Sequence, residues 1–213
     1  MDLALQRFLD RVRPRSRTVH LSAYEDVAVA LECFLTRRRR SAERLGAAEL
    51  RTFLGYWYLR HHRPATALHV RRFCAATRVL VRWLSAGRPG KRGRALLREA
   101  RCVARQTARA ARATELLDDL RRGRPCRHPE KLVDDYWEVV LHGSSHLVLR
   151  SMSSGVILGP VELPEGLVTA LDPGVILNLQ LGRSDGDWHV VDHGYCYPSA
   201  AAAALREAVT VDA

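Results

Sequence analysis

Six arginines, Arg94, Arg98, Arg101, Arg105, Arg109 and Arg112, follow one another at intervals of four, three, four, four and three residues. A guanidinium is a planar fork of five donors that stays charged throughout the physiological pH range. At helical spacing the six share one face, where like charges cost a few tenths of a kcal/mol per pair. A polyanion reverses that cost. From Arg94 to Arg112 is 18 steps, roughly 27 Å of helix at about 1.5 Å per residue. Duplex charge recurs about every 1.7 Å of axis, so such a row can follow several phosphates. A solvated helix face is the competing reading, because 32 of the 34 cations are Arg.

Two further basic clusters carry the same chemistry. Arg37, Arg38, Arg39 and Arg40 stand in "TRRRRSAER" at the expected end of a helix. Cations there suit the macrodipole, so capping is the alternative to phosphate contact. Arg63, His69, Arg71 and Arg72 surround the expected start of another helix, where backbone N–H groups favour an anion.

Catalytic and metal chemistry find less support. Asp185, Asp187, His189, Asp192 and His193 are metal-ligand types gathered in "DGDWHVVDH". Strand alternation turns Asp192 away from His189 and His193, and the two aspartates beside Gly186 suit a turn. Cys126 and His128 in "CRHPE" lack the second ligand pair of a zinc site. Ser144, Ser145 and His146 are adjacent only in sequence, whereas a triad is a spatial arrangement. No GxSxG, P-loop or dinucleotide fingerprint occurs. The expectation is a non-enzyme with no catalytic residue, no metal and no cofactor.

The elements that must present these side chains fall into two parts. Residues 1–123 hold 28 Lys and Arg against 11 Asp and Glu; residues 124–213 hold 6 against 12. The first part reads as a bundle of four or five helices, about 3–12, 18–38, 47–61, 64–87 and 94–122, each with apolar residues near a 3.6 period. "GRPGKRG" forms a basic turn before the fifth helix. After residue 132, short runs rich in Val, Leu, Ile and aromatics alternate with "GSS", "PEG", "DPG" and "SDGD". That pattern predicts a small antiparallel β-barrel or sandwich over 132–198, with Asp185-Gly186 as a hairpin turn. Tyr136, Trp137, Trp188, Tyr195 and Tyr197 either stack on bases or fill its interior, and small barrels need the filling. The fold class is α+β, and residues 199–213 form a tail with a short helix capped by Ser199.

Five cysteines, an odd number without CxxC spacing, fit reduced thiols in the cytoplasm. The first residues do not read as a secretory signal, and no run approaches the roughly 18 apolar residues of a membrane span.

The strings "FLDRVRPRSRTVHLSAYEDVAVALECFL" and "GAAELRTFLGYWYLRHHRPATALHVRRFCAATRVLVRWL" resemble the SAM-like core-binding domain of phage integrases and tyrosine recombinases. The matches are Phe8-Leu9, Thr18 with Tyr24, Glu49-Leu50 with Phe53-Leu54, and Arg82-Trp83-Leu84, within about residues 3–86. The resemblance implies DNA contact through the second and fourth helices, by Arg17, Thr18, Tyr24, His69, Arg71, Arg72 and Arg78. The family's Arg…His-x-x-Arg…Tyr constellation does not follow residue 87, so strand exchange is not expected. The C-terminal part resembles small β modules attached to such helical domains in uncharacterised prokaryotic proteins. The expectation is phosphate-directed DNA binding by the helical part, with the β part meeting a protein partner. RNA, or an acidic protein docked on the basic helix, remain as other partners for the same charges.

Overall fold

The computed structural model describes residues 1–62, 66–87, 90–123 and 129–211. They form two compact units, Met1–Ala108 and Arg109–Ala213.

In the first unit, Asp2 opens α1 (Leu3–Val12). One carboxylate oxygen accepts the Ala4 N–H at 2.9 Å and the other accepts the Ala42 N–H at 3.0 Å. A single side chain therefore caps α1 and ties down the 3-10 turn Ala42–Arg44. Pro14 fits a second 3-10 turn, Arg13–Arg15, that ends α1. Helix α2 (Thr18–Arg37) packs on α5 (Ala67–Ala86). Val27, Leu31, Phe34 and Leu35 of α2 and Val70, Phe73, Leu80 and Val81 of α5 are all buried. Helix α3 (Ala47–Thr52) runs through a π-helical segment, Phe53–Trp57, into α4 (Tyr58–His62). The wide turn brings Phe53, Leu54, Trp57 and Tyr58 all into the interior. The Tyr58 ring stacks on Phe73 with centroids 3.7 Å apart.

Helix α6 (Lys91–Gly123) contributes to both units. Leu96, Ala100, Val103, Ala104 and Thr107 are buried in the first. The Thr107 hydroxyl donates to the Leu54 carbonyl of the π segment at 3.4 Å. Ala110, Ala113 and Leu117 belong to the core of the second unit. The unit boundary thus falls within α6, where the sequence reading placed it after the helix, because the small face of α6 continues into the β core. Two other expectations change. The helical part holds more helices than the four or five read from periodicity, since the π segment splits the third and short 3-10 turns intervene. Leu68, one of the apolar residues of the helix read over 64–87, is 55 % exposed. The expected helix start at Pro64 lies outside the described residues; α5 is capped by Thr66, whose hydroxyl oxygen accepts the His69 N–H at 3.2 Å.

The second unit holds β1 (Lys131–His142), β2 (His146–Ser151), β3 (Ile157–Glu162), α7 (Glu165–Val168), β4 (Ile176–Ser184) and β5 (Asp187–Tyr197). The strand order is β1-β2-β3-β5-β4, and β4 also pairs with β1, so the sheet closes on itself. All the strands lie in this one sheet, so no two-sheet sandwich forms among the described residues. The sheet is mixed where antiparallel pairing was expected: β3 and β5 run parallel, meeting at Val161 and Trp188. Asp185 and Gly186, with φ of 55° and 89°, make the expected two-residue hairpin between Ser184 and Asp187. Trp137 and Tyr197 are buried, and the Trp137 indole donates to the Leu179 carbonyl at 3.1 Å. Leu and Val side chains make up most of this core; Trp137 is its aromatic member, with Trp188 packed against it, and none of the unit's described aromatic residues is fully exposed. The C-terminal segment is not a loose tail: a 3-10 turn (Ser199–Ala201) leads into α8 (Ala202–Val211), with Ala201 and Leu205 buried. Ser199 is the first residue of that turn, and Pro198, not Ser199, stands at its N-cap.

Candidate nucleic-acid interface

The first unit contains 24 Lys and Arg against 8 Asp and Glu. Its largest clusters of Lys and Arg lie on α6, at and just after the end of α2, and on α5. On α6, Arg94, Arg98, Arg101 and Arg105 are all exposed. The helix turns its buried residues, Leu96, Ala100, Val103 and Thr107, to the opposite side. Among the described residues no ion pair involves any of these four arginines.

The row changes character where α6 enters the second unit. Arg109 pairs with Asp172 at 2.5 Å, and Arg112 with Glu115 at 2.9 Å. Farther along, Arg121 pairs with Asp192 at 3.2 Å and Arg122 with Asp119. The sequence shows six equivalent arginines; among the described residues four have no carboxylate partner and the last two have one each. Asp172 lies 63 residues from Arg109 in the chain, so helical spacing gave no sign of it.

The Arg37–Arg40 run closes α2. All four are exposed, but they are not alike. The Arg37 guanidinium lies over Trp57, 5.9 Å from the ring centroid, and that of Arg38 over Phe34 at 4.9 Å. Both are held by aromatic faces. Arg39 takes a left-handed backbone with φ of 51°. Its N–H donates to the Thr36 carbonyl and that of Arg40 to the Leu35 carbonyl, each at 3.0 Å. These two bonds make a Schellman turn, in which the left-handed position is usually glycine.

On α5, His69, Arg71, Arg72 and Arg78 are exposed. Arg71 and Arg78 share a side of the helix with Arg82, which is also exposed and which the sequence offers only as part of the Arg82-Trp83-Leu84 match, not as a contact. The spacing of seven and four was its available signal. Arg17 precedes α2 with an extended backbone, and Thr18 is the first helical residue; both are exposed. Tyr24 stands apart from them: it is half-buried, and its ring meets Phe8 edge-on at 5.7 Å. Arg63 lies outside the described residues. Nearby His62 stays neutral more readily than a free imidazole, because burial and the adjacent His61 push its pKa down.

No family model, curated protein or solved structure matches the chain.

Of the ligand-type residues of the β unit, Asp192 and His193 have local partners. Asp192 pairs with Arg121 and accepts the His193 N–H at 2.8 Å. His193 shares Nδ1 with the Gly194 carbonyl at 2.9 Å, leaving Nε2 3.4 Å from Asp118. Among the described residues no group of three His, Cys, Asp or Glu side chains is placed to hold a metal ion. Cys126 and His128 lie outside the described residues. No described helix is long and apolar enough to cross a membrane.

Proposed function

We propose that this is a non-catalytic DNA-binding protein whose helical unit contacts the phosphates of duplex DNA, with a small β-barrel module serving a protein partner. The observation that carries the reading is the exposed row Arg94–Arg98–Arg101–Arg105, without a described carboxylate partner. Its 11 steps span about 16 Å at about 1.5 Å per residue. That length meets several backbone charges of a duplex. Phosphate contact of this kind positions a protein without reading sequence, so sequence preference is modest.

Duplex is favoured over single strands for a second reason. Proteins that hold single strands offer exposed aromatic faces to the bases. Every aromatic side chain described in the helical unit is buried or half-buried. The likeness of residues 3–86 to an integrase core-binding domain points to the same ligand, and Arg17, Thr18, His69, Arg71, Arg72 and Arg78 are the contacts it suggests. Tyr24, packed on Phe8, serves there as a core residue. The free thiols of Cys33, Cys74, Cys102 and Cys196 suit a reducing cytoplasm.

A fluorescence-anisotropy competition tests the reading. Labelled duplex DNA is displaced by unlabelled duplex DNA, duplex RNA, single-stranded DNA or polyglutamate. Displacement by duplex DNA at the lowest concentration is expected. Preferential displacement by polyglutamate would favour an acidic protein partner, and by duplex RNA an RNA partner.

A further inference from the structure

Asp172 is held in place by a tight turn. The Asp172 carbonyl accepts the Val175 N–H at 3.1 Å, with Pro173 and Gly174 between them. Gly174 has φ of 83°, the left-handed position that a type II turn needs, and Pro173 occupies the favoured position before it. Two further bonds fix the turn to β1: the Gly174 N–H donates to the Val139 carbonyl and the Val139 N–H to the Val175 carbonyl, each at 2.8 Å. Leu171, the preceding residue, is buried. The backbone that carries the Asp172 carboxylate is therefore fixed before any ligand arrives.

That carboxylate meets Arg109 at 2.5 Å, with side-chain exposures of 53 % and 46 %. Such exposure makes the pair weak and open to exchange. A carboxylate and a phosphate oxygen compete for the same guanidinium fork. Arg109 is the next member of the α6 arginine series after Arg105. We infer that Asp172 is a built-in phosphate mimic, an autoinhibitory contact that withholds Arg109 from the polyanion. The inference rests on the DNA-binding reading above. It adds that affinity is set partly by a carboxylate of the β unit that itself touches no DNA. Loss of that carboxylate frees one more cation for a phosphate.

The test is the salt dependence of duplex binding, from 50 to 200 mM, for the full-length wild type, D172N and the double variant D172N/R109Q. One added phosphate contact steepens the log–log slope by about 0.9 and enlarges the loss of affinity over that range about threefold. D172N is expected to bind more tightly than wild type at low salt and to show the steeper slope. The double variant is expected to lose that gain. Thermal unfolding of all three checks that the fold survives, and Asp172→Ala repeats the measurement if the Asn variant is unstable. A wild type that binds with a D172N slope equal to its own overturns the inference and spares the DNA-binding reading. A gain that survives in D172N/R109Q also overturns it. Absence of binding by all three proteins overturns both.

Discussion

The backbone N–H of Arg40 donates to the carbonyl of Leu35 at 3.0 Å, across a turn in which Arg39 has φ of 51°. An L-residue in that conformation costs roughly 1–2 kcal/mol. Glycine would remove the strain at an entropic cost of about 0.5–1 kcal/mol. Arginine at this position carries a backbone strain that glycine would not. R39G is therefore expected to raise the urea midpoint, by up to about 1 kcal/mol in unfolding free energy, while lowering affinity for duplex DNA. A variant that is both less stable and equally tight-binding would show that the turn has no such trade.

Thr107 has a structural role on the buried side of the same helix that carries the arginine row. Its hydroxyl is its only polar side-chain group, and it reaches the Leu54 carbonyl at 3.4 Å from a fully buried position. Thr107→Val keeps the shape and deletes the bond, at a cost of about 0.5–1.5 kcal/mol. Urea unfolding followed by tryptophan fluorescence reads this directly, since Trp57 lies in the same π segment as Leu54. No change in the midpoint would mean that the bond contributes nothing.

Two thiols link stability to alkaline pH. Burial pushes Cys74 and Cys196 up from 9.0 to about 12. Below the unfolded value both states keep the proton and the stability is intact. Above it the unfolded chain releases the proton while the native thiol holds it, so stability falls as pH rises from about 9 towards 12. Each thiol contributes a slope of about 1.4 kcal/mol per pH unit. Urea midpoints at pH 8 and pH 10 should differ accordingly, and Cys74→Ala or Cys196→Ala should flatten the fall. At pH 8 a thiol reagent should modify exposed Cys33 and Cys102 quickly and spare the buried pair. Equal reactivity of all four would contradict that burial.

Much of the helical unit is legible in the sequence because its signals are local. Val27, Leu31, Phe34 and Leu35 follow a 3.6 period, and all four are buried. The Asp185-Gly186 turn is legible for the same reason: two positive φ angles call for these residue types. The π segment is not legible, because Phe53, Leu54 and Trp57 satisfy an α-helical pattern equally well. Long-range pairing is hidden too. Asp172 reads only as the first residue of a "DPG" turn, and nothing local connects it to Arg109. Likewise Leu117 reads as a continuation of one apolar face, although it belongs to a second core. Charge spacing identifies the arginine row; only the fold shows which of its members meet a carboxylate among the described residues.

The salt titration of the row itself bears most directly on DNA binding. Wild type and the variant R94Q/R98Q/R101Q/R105Q are compared on several unrelated duplexes between 50 and 200 mM salt, with circular dichroism to verify helix content. Four lost phosphate contacts should reduce the magnitude of the log–log slope by as much as about 3.6, with affinity falling by the same factor on every duplex. A variant whose slope and affinity match wild type would contradict the assignment of α6 as the phosphate-binding face.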